Sequence, residues 1–315
     1  MLGGVLSHVG QPDTKVKFGK YPMKIVAPGH PITQGSSGFE HEDELYYYLQ
    51  TQGEPIKPLV VAERIRARPG LRGVLWTAEP LRRSLRYLVE TKAIDHVLAR
   101  RDFESPPRAW ELAMVARRLR GVPAPSLAAY LDWGFSALDL EIRTTADRDA
   151  ASTRIEGFVA ALQVPRRVAE LFAELGHELI MNAMYDAPVD ASGRPKYAGD
   201  RQAHIALADH ERPIVRVATD GTRLALQVKD PFGRLERRHV FEGLARGLAA
   251  GQGGEQIDRS HGGAGLGMMV CHNASTALFF DVVPNRHTEV TALFELDLNL
   301  RELRTQAKSI HFWRS

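Results

Sequence analysis

A carboxylate and an amide four residues apart, Glu178 and Asn182, form the first pair in this sequence that could do chemistry. Residues i and i+4 of a helix lie side by side, so both side chains would face the same pocket. The carboxylate could position or deprotonate an attacking group, and the amide oxygen is a hard ligand that suits Mg²⁺. A hydrogen-bonding pair on a helix surface is the alternative. His177 and Glu178 also begin a zinc-protease motif, but Met181 stands where its second histidine belongs, which argues against that motif.

A second segment places an acid at the end of a predicted strand. Asp230 is followed by Pro231, Phe232 and Gly233, and glycine permits the backbone conformation of a tight turn. An acid held at such a turn could accept a hydrogen bond from an exocyclic amine such as that of adenine. An ordinary turn at the end of a strand fits the same residues equally well.

A third segment, Gly262-Gly-Ala-Gly-Leu-Gly267, is a glycine run directly before a predicted helix. Unshielded backbone N–H groups and the positive end of the helix would attract phosphate there. The run does not follow the P-loop pattern, and the third glycine of the dinucleotide-binding pattern would fall on Met268. The segment therefore indicates a phosphate site of another kind, or a flexible glycine-rich hinge.

These three segments need a scaffold, which hydrophobic periodicity predicts. Apolar residues at helical spacing predict a helix over 165–184, with Glu178 and Asn182 at the margin of the apolar stripe. The surrounding pattern predicts a helix over 151–162 and strands over 138–143, 203–208, 214–219, 224–229, 277–283 and 289–296. Asp220-Gly221 and Pro284-Asn285 mark the turns of two hairpins.

The first part of the chain alternates predicted strands and helices. We expect an irregular arm over 1–21, a loop over 28–38, strands over 23–27, 73–77 and 94–98, and helices over 58–67, 80–91 and 107–120. Alternating strands and helices imply parallel pairing in an α/β layer. Pro123 and Pro125 then mark a linker over 122–134.

The order of elements in residues 22–121 resembles the receiver domain of response regulators. No aspartate ends an apolar strand there, and Arg100 stands where that family has a lysine. The resemblance therefore implies a receiver-like domain that is not phosphorylated and serves for docking. A small α/β domain without chemistry is the alternative.

The region from Leu138 to Leu296 resembles the GHKL ATPases, within a domain over 135–300. The resemblance implies a Bergerat α/β sandwich, a mixed sheet with helices on one face, preceded by the smaller receiver-like α/β domain. It implies that Glu178 is the catalytic base and that Asn182 binds Mg²⁺. The residues that it assigns to the nucleotide are Asn182, Asp230, Gly233, Gly263, Gly265, Gly267 and Thr288.

The same resemblance makes residues 234–261 an ATP lid. Arg237, Arg238 and Arg259 of that segment could reach phosphates or remain solvated surface charges. The chain departs from the family pattern at Leu235, where a second glycine is usual. It also has Tyr185 and Asp186 where a basic residue often follows the asparagine.

No phosphoacceptor-histidine hairpin precedes the ATPase region, which argues against autophosphorylation in cis. The strand at Leu138, the helix over 151–162 and the run from Gln163 to Asn182 resemble the anti-sigma-factor serine kinase branch. This branch implies the cofactors ATP and Mg²⁺ and a regulatory protein partner. We expect bacterial signalling with serine/threonine kinase or slow ATPase activity. The alternative is a non-catalytic interaction module whose nucleotide pocket acts as a switch or is degenerate.

Charge and composition limit the other classes. Among the 315 residues, 41 basic and 38 acidic ones are spread along the chain, which argues against nucleic acid as a partner. The single cysteine excludes an intramolecular disulfide framework. The sequence contains no apolar run long enough to predict a membrane segment. We therefore expect the cytoplasm as the compartment. The basic and aromatic tail over 301–315 either packs against the domain or docks a partner, and a homodimer is left open.

Overall fold

The structure is a computed structural model, and it describes residues 16–23, 39–46, 73–102, 105, 107–252 and 266–315. The chain divides into two compact units, Met1–Val61 and Ala62–Ser315. Strands β1 (Val16–Met23) and β2 (Phe39–Tyr46) of the first unit pair antiparallel.

The position of β1 corrects one prediction. An irregular arm is predicted over 1–21, but residues 16–21 lie in β1. Of the strand predicted over 23–27, only Met23 is described, as the last residue of β1, and residues 24–27 lie outside the described residues. Val16, Phe18 and Tyr21 are β-branched or aromatic residues, which favour a strand. The helix predicted over 58–67 lies outside the described residues.

The second unit contains one mixed sheet of eight strands in the order β3-β4-β10-β8-β9-β7-β6-β5. Their bounds are Gly73–Thr77, Ile94–Ala99, Ser309–Arg314, Ala277–Val283, His287–Glu295, Arg223–Asp230, Ile214–Thr219 and Ser136–Glu141, in that order. The pairs β3 with β4 and β8 with β10 are parallel, and the other neighbouring pairs are antiparallel. The α/β class predicted from the sequence is confirmed.

The described part of this unit has seven α-helices. They are α1 (Leu81–Glu90), α2 (Ala109–Leu119), α3 (Thr145–Ala160), α4 (Arg166–Met181), α5 (Arg237–Gln252), α6 (Leu266–Asn273) and α7 (Leu300–Thr305). Thr144 and Asp147 form a capping box that starts α3, and Pro165 precedes the first residue of α4. One π-helical turn, Asn182–Asp186, extends α4.

Two hydrophobic clusters show that helices lie on both faces of the sheet, not on one as predicted. The larger cluster holds buried residues of α1 and α3 to α7 against one face. On the other face, Trp110 and Met114 of α2 pack against a cluster that includes Tyr130 and Phe279. The ring centroids of Trp110 and Phe279 are 6.3 Å apart. This second layer forms because strand residues on that face are also apolar and need cover.

Strand β10 explains why the domain organisation differs from the predicted one. It lies between β4 and β8, so strands β3 and β4 share a sheet with the strands of the predicted ATPase region. Residues 73–121 therefore belong to the same compact unit as residues 135–300, not to a separate receiver-like domain. Ile310 and Phe312 are buried in the larger cluster, so the tail packs within the fold and is not a free docking peptide.

Residues 203–208 do not form the predicted strand. They make one isolated bridge between Thr144 and Ala206. The Ile205 N–H donates to Thr145 Oγ1 at 2.9 Å, and the Thr145 N–H donates to the Ile205 carbonyl at 3.2 Å. The alternating apolar residues of this segment thus pack beside the start of α3 instead of extending a sheet.

In the described part of the chain, no helix is long and apolar enough to cross a membrane.

Candidate functional site

Glu178 lies against the first turn of α6. Helices α4 and α6 pack against each other, and a Cβ atom added at Gly267 would lie 2.3 Å from Glu178 Oε2. The carboxylate, which is partly exposed, therefore rests on backbone that only glycine leaves open. A negative charge near the N-terminus of a helix is favoured by the helix dipole. The structure thus brings together the predicted base and the last glycine of the run, while Gly263 and Gly265 lie outside the described residues.

Asp230 and Thr288 face the same side of the sheet as α4. Leu224, Leu226 and Val228 alternate into the larger cluster, and Asp230 continues that alternation at the end of β7. Thr288 is directly opposite Asp230 on β9. Strand β7 also packs against both α4 and the π-helical turn, which carry Glu178 and Asn182.

Asp230 is a buried acid held by its own turn. The Phe232 N–H donates to Asp230 Oδ1 at 2.9 Å, and the Gly233 N–H makes a longer contact of 3.4 Å with the same oxygen. Burial raises the pKa of Asp230, and the hydrogen bonds from Phe232 and Thr288 act in the opposite direction. A buried carboxyl group with polar neighbours is suited to fixing the orientation of a polar ligand edge.

Gly233 serves the turn by packing against neighbouring backbone. Its φ is +67°, and an added Cβ would lie 2.1 Å from the carbonyl oxygen of Val283, the last residue of β8. A side chain at this position would meet both conformational strain and immovable backbone. Gly233 therefore sets the path of the chain after Asp230, whether or not a ligand is bound.

The side-chain oxygen of Asn182, which is predicted to bind Mg²⁺, accepts a hydrogen bond from an arginine. Arg201 Nη2 donates to Asn182 Oδ1 at 3.0 Å, and the same nitrogen lies 3.4 Å from Asp186 Oδ2. Sequence reasoning missed Arg201, because it is 19 residues after Asn182 in a segment without helix or strand periodicity. In space it places a positive charge beside Asn182 and Asp186.

This arrangement does not fit a Mg²⁺ ion on Asn182. Mg²⁺ requires oxygen ligands at about 2.0–2.1 Å in octahedral geometry. A guanidinium nitrogen lies 3.0 Å from the oxygen of Asn182, so its positive charge would repel a dication bound to that oxygen. Within the described residues, no group of three or more His, Cys, Asp or Glu side chains is placed to hold a metal ion. A metal at this position would first have to displace Arg201.

The start of the predicted lid is a helix fixed to the body of the unit. Arg237 Nε donates to Asp95 Oδ1 at 2.6 Å, and Arg237 Nη2 donates to the carbonyl oxygens of Leu88, Thr91 and Ile94. Arg237 therefore ties α5 to the end of α1 and is neither a phosphate ligand nor a solvated charge. Arg238 pairs with Glu236 at 2.7 Å on the surface, and Arg259 lies outside the described residues.

The end of α6 is held by a buried lysine from the C-terminal tail. Lys308 Nζ donates to the carbonyl oxygens of His272 at 2.8 Å and Asn273 at 2.7 Å. Burial lowers the pKa of Lys308 to about 7, whereas the two carbonyl oxygens favour its ammonium form. The tail thus supports the same helix whose first turn contacts Glu178. A lone lysine in a basic tail gave no sequence signal for this role.

The comparisons with known proteins add little beyond a distant likeness in fold. No family model matches this chain, and no curated protein matches it. A solved structure, the SiaB-SiaC complex from Pseudomonas aeruginosa, contains a chain that is similar at 13% sequence identity. The similarity covers 58% of this chain and 98% of that chain, with a TM-score of 0.32. A score this low carries no argument about function.

Proposed function

We propose that this protein binds ATP and acts as a signalling protein with serine/threonine kinase or slow ATPase activity on a protein partner. The observation that carries the proposal is the contact of Glu178 with Gly267. It joins a carboxylate to the start of a glycine-led helix, beside the strands that carry Asp230 and Thr288. The sequence resemblance to GHKL ATPases supplies the chemical roles.

The adenine end of the pocket would be formed by Asp230. Its carboxylate would accept a hydrogen bond from the exocyclic amine of adenine, and Thr288, opposite it on β9, would support the same edge. Guanine carries a carbonyl oxygen at the corresponding position, which an acceptor repels. The pocket is therefore expected to prefer ATP to GTP.

Glu178 would act as the general base at the phosphate end. Its carboxylate would take the proton from a serine hydroxyl group or a water molecule while that oxygen attacks the terminal phosphorus. The bond from phosphorus to the bridging oxygen would break, and ADP would leave with the bonding electron pair. N–H groups at the start of α6 are suited to hold the charged oxygens.

A non-catalytic, nucleotide-gated interaction module is the second candidate. Two contacts favour it: Arg201 occupies the oxygen of Asn182, and Arg237 fixes α5 to the rest of the unit. A pocket whose own side chains already pair with each other can change conformation when a nucleotide binds, without hydrolysing it.

Nucleotide binding by Asp230→Asn tests the proposal. Loss of a charged acceptor for a buried hydrogen bond should weaken ATP binding about 10- to 100-fold. Asp139→Asn is the matched control, because Asp139 pairs with Arg216 on an exposed strand edge. Equal ATP affinity in both variants would refute the role of Asp230.

Glu178→Gln separates the two candidate functions. The kinase or ATPase proposal expects this variant to keep ATP affinity and to lose phosphate release or partner phosphorylation. Unchanged turnover, or no turnover in the wild-type protein that nonetheless binds ATP, would favour the switch.

A further inference from the structure

We propose that Arg201 provides the positive charge that ATP needs at Asn182, so that this site binds the nucleotide without a divalent cation. The inference rests on the proposed function, because it concerns the phosphate end of the same pocket. It would make Arg201 a positioning and specificity-determining residue that the sequence pattern did not identify.

The charge at this position is fixed by two oxygen contacts from the two ends of the π-helical turn, Asn182 and Asp186. Arg201 Nη2 donates to Asn182 Oδ1 at 3.0 Å and lies 3.4 Å from Asp186 Oδ2. The Arg201 side chain is 20% exposed and that of Asp186 is 45% exposed, so the guanidinium group is largely buried while its carboxylate partner reaches solvent. A guanidinium group remains protonated at all physiological pH values, and its planar fork matches phosphate oxygens.

The segment that carries Arg201 is anchored at both ends. Tyr185 donates from its hydroxyl group to the Ala203 carbonyl at 2.7 Å, and Ile205 is bonded to Thr145. Lys196 pairs with the buried Glu211 at 2.5 Å. These contacts hold Arg201 beside the π-helical turn, so its cation is part of the fold.

A metal ion would work against this arrangement. It would need Asn182 Oδ1, and displacing Arg201 would leave Asp186 without this ion pair. An arginine that is already in place can approach phosphate oxygens while it keeps its contact with Asp186. The geometry therefore favours the built-in cation over an external one.

Equilibrium titration with a fluorescent ATP analogue, in buffer with EDTA and in buffer with Mg²⁺, tests the inference without requiring turnover. The wild-type protein should show dissociation constants that agree within about threefold in the two buffers. Arg201→Ala should bind about 10- to 100-fold more weakly in EDTA. Arg201→Lys, which keeps the charge, should retain part of that affinity.

Arg194→Ala is the matched control. Arg194 lies in the same segment, is exposed, and pairs with Asp190 at 3.2 Å, so its removal should leave ATP affinity unchanged in both buffers. Wild-type binding that requires Mg²⁺, or equal affinities for Arg201→Ala and the wild type in EDTA, would overturn the role of Arg201. No wild-type binding in either buffer would instead refute the proposed function, and this inference with it.

Discussion

Replacing Gly267 with alanine should displace the Glu178 carboxylate without unfolding the protein. The new methyl group would lie 2.3 Å from Glu178 Oε2 and 3.2 Å from Glu178 Cδ. Both atoms belong to the far end of a flexible side chain, so the side chain can move while the backbone stays. The substitution therefore acts on the candidate base through its position and leaves its chemical identity intact.

Gly267→Ala should change the free energy of unfolding only slightly and should lower the turnover rate strongly. The oxygen must retreat by about 1 Å to reach ordinary van der Waals distance. An off-rotamer glutamate costs about 0.5–1.5 kcal/mol, while alanine in place of helical glycine gains up to about 1 kcal/mol. The free energy of unfolding should thus change by less than about 1 kcal/mol. A displacement of about 1 Å at a reacting group can lower turnover about 100-fold.

Urea unfolding and phosphate release, measured on the same preparation, check both numbers. Gly157→Ala is the control, because Gly157 is exposed in α3 and an added Cβ meets no atom within 4 Å. It should raise the free energy of unfolding by up to about 1 kcal/mol and leave turnover unchanged. If Gly267→Ala retained full turnover, or lost more than about 3 kcal/mol of stability, the placement of Glu178 on α6 would be incorrect.

Three further substitutions, one of them with a matched control, test the packing of the second unit. Gly233→Ala should lower the free energy of unfolding by about 3–5 kcal/mol, because the strain of a left-handed backbone adds to a clash with backbone at 2.1 Å. Gly221→Ala is the control: its backbone is also left-handed, but an added Cβ meets no atom within 4 Å, so it should lose only about 1–2 kcal/mol in the same urea titration. Lys308→Met should lose about 1–3 kcal/mol by urea unfolding, since two carbonyl oxygens at the end of α6 lose their donor, and a stability equal to the wild type would contradict that role. Burial raises the pKa of Asp281 to about 6, while its ion-pair partner Arg118 acts in the opposite direction, so the folded state binds more protons than the unfolded state between about pH 4 and 6. Stability should therefore fall by up to about 3 kcal/mol as the pH rises from about 4 to about 6. Asp281→Asn should lack this dependence, and an identical pH profile for the variant would refute the assignment.

Local periodicity predicted most elements of the second unit. The helix through Glu178 and the strand that ends at Asp230 carry strong apolar patterns, and their type follows from spacing alone. Asp220-Gly221 and Pro284-Asn285 mark hairpin turns at the positions where the structure has them. These features could be predicted because they depend on residues that are close in sequence.

Long-range placement could not be predicted in the same way. Residues 309–314 alternate like a strand, but nothing in the sequence indicates that they insert between β4 and β8. The contact between Arg201 and Asn182 depends on how an irregular segment returns to the end of α4. The hydrogen bond of Lys308 to the end of α6 depends on the path of the C-terminal tail through the fold. Each is fixed by tertiary packing, which a one-dimensional pattern does not contain.

Equilibrium titration of the wild-type protein with ATP tests the central proposal most directly. We predict saturable binding with a dissociation constant below the millimolar range, clearly weaker binding of GTP, and loss of the ATP preference in Asp230→Asn. No saturable binding at millimolar ATP, or equal affinity for ATP and GTP, would contradict an adenine pocket at Asp230.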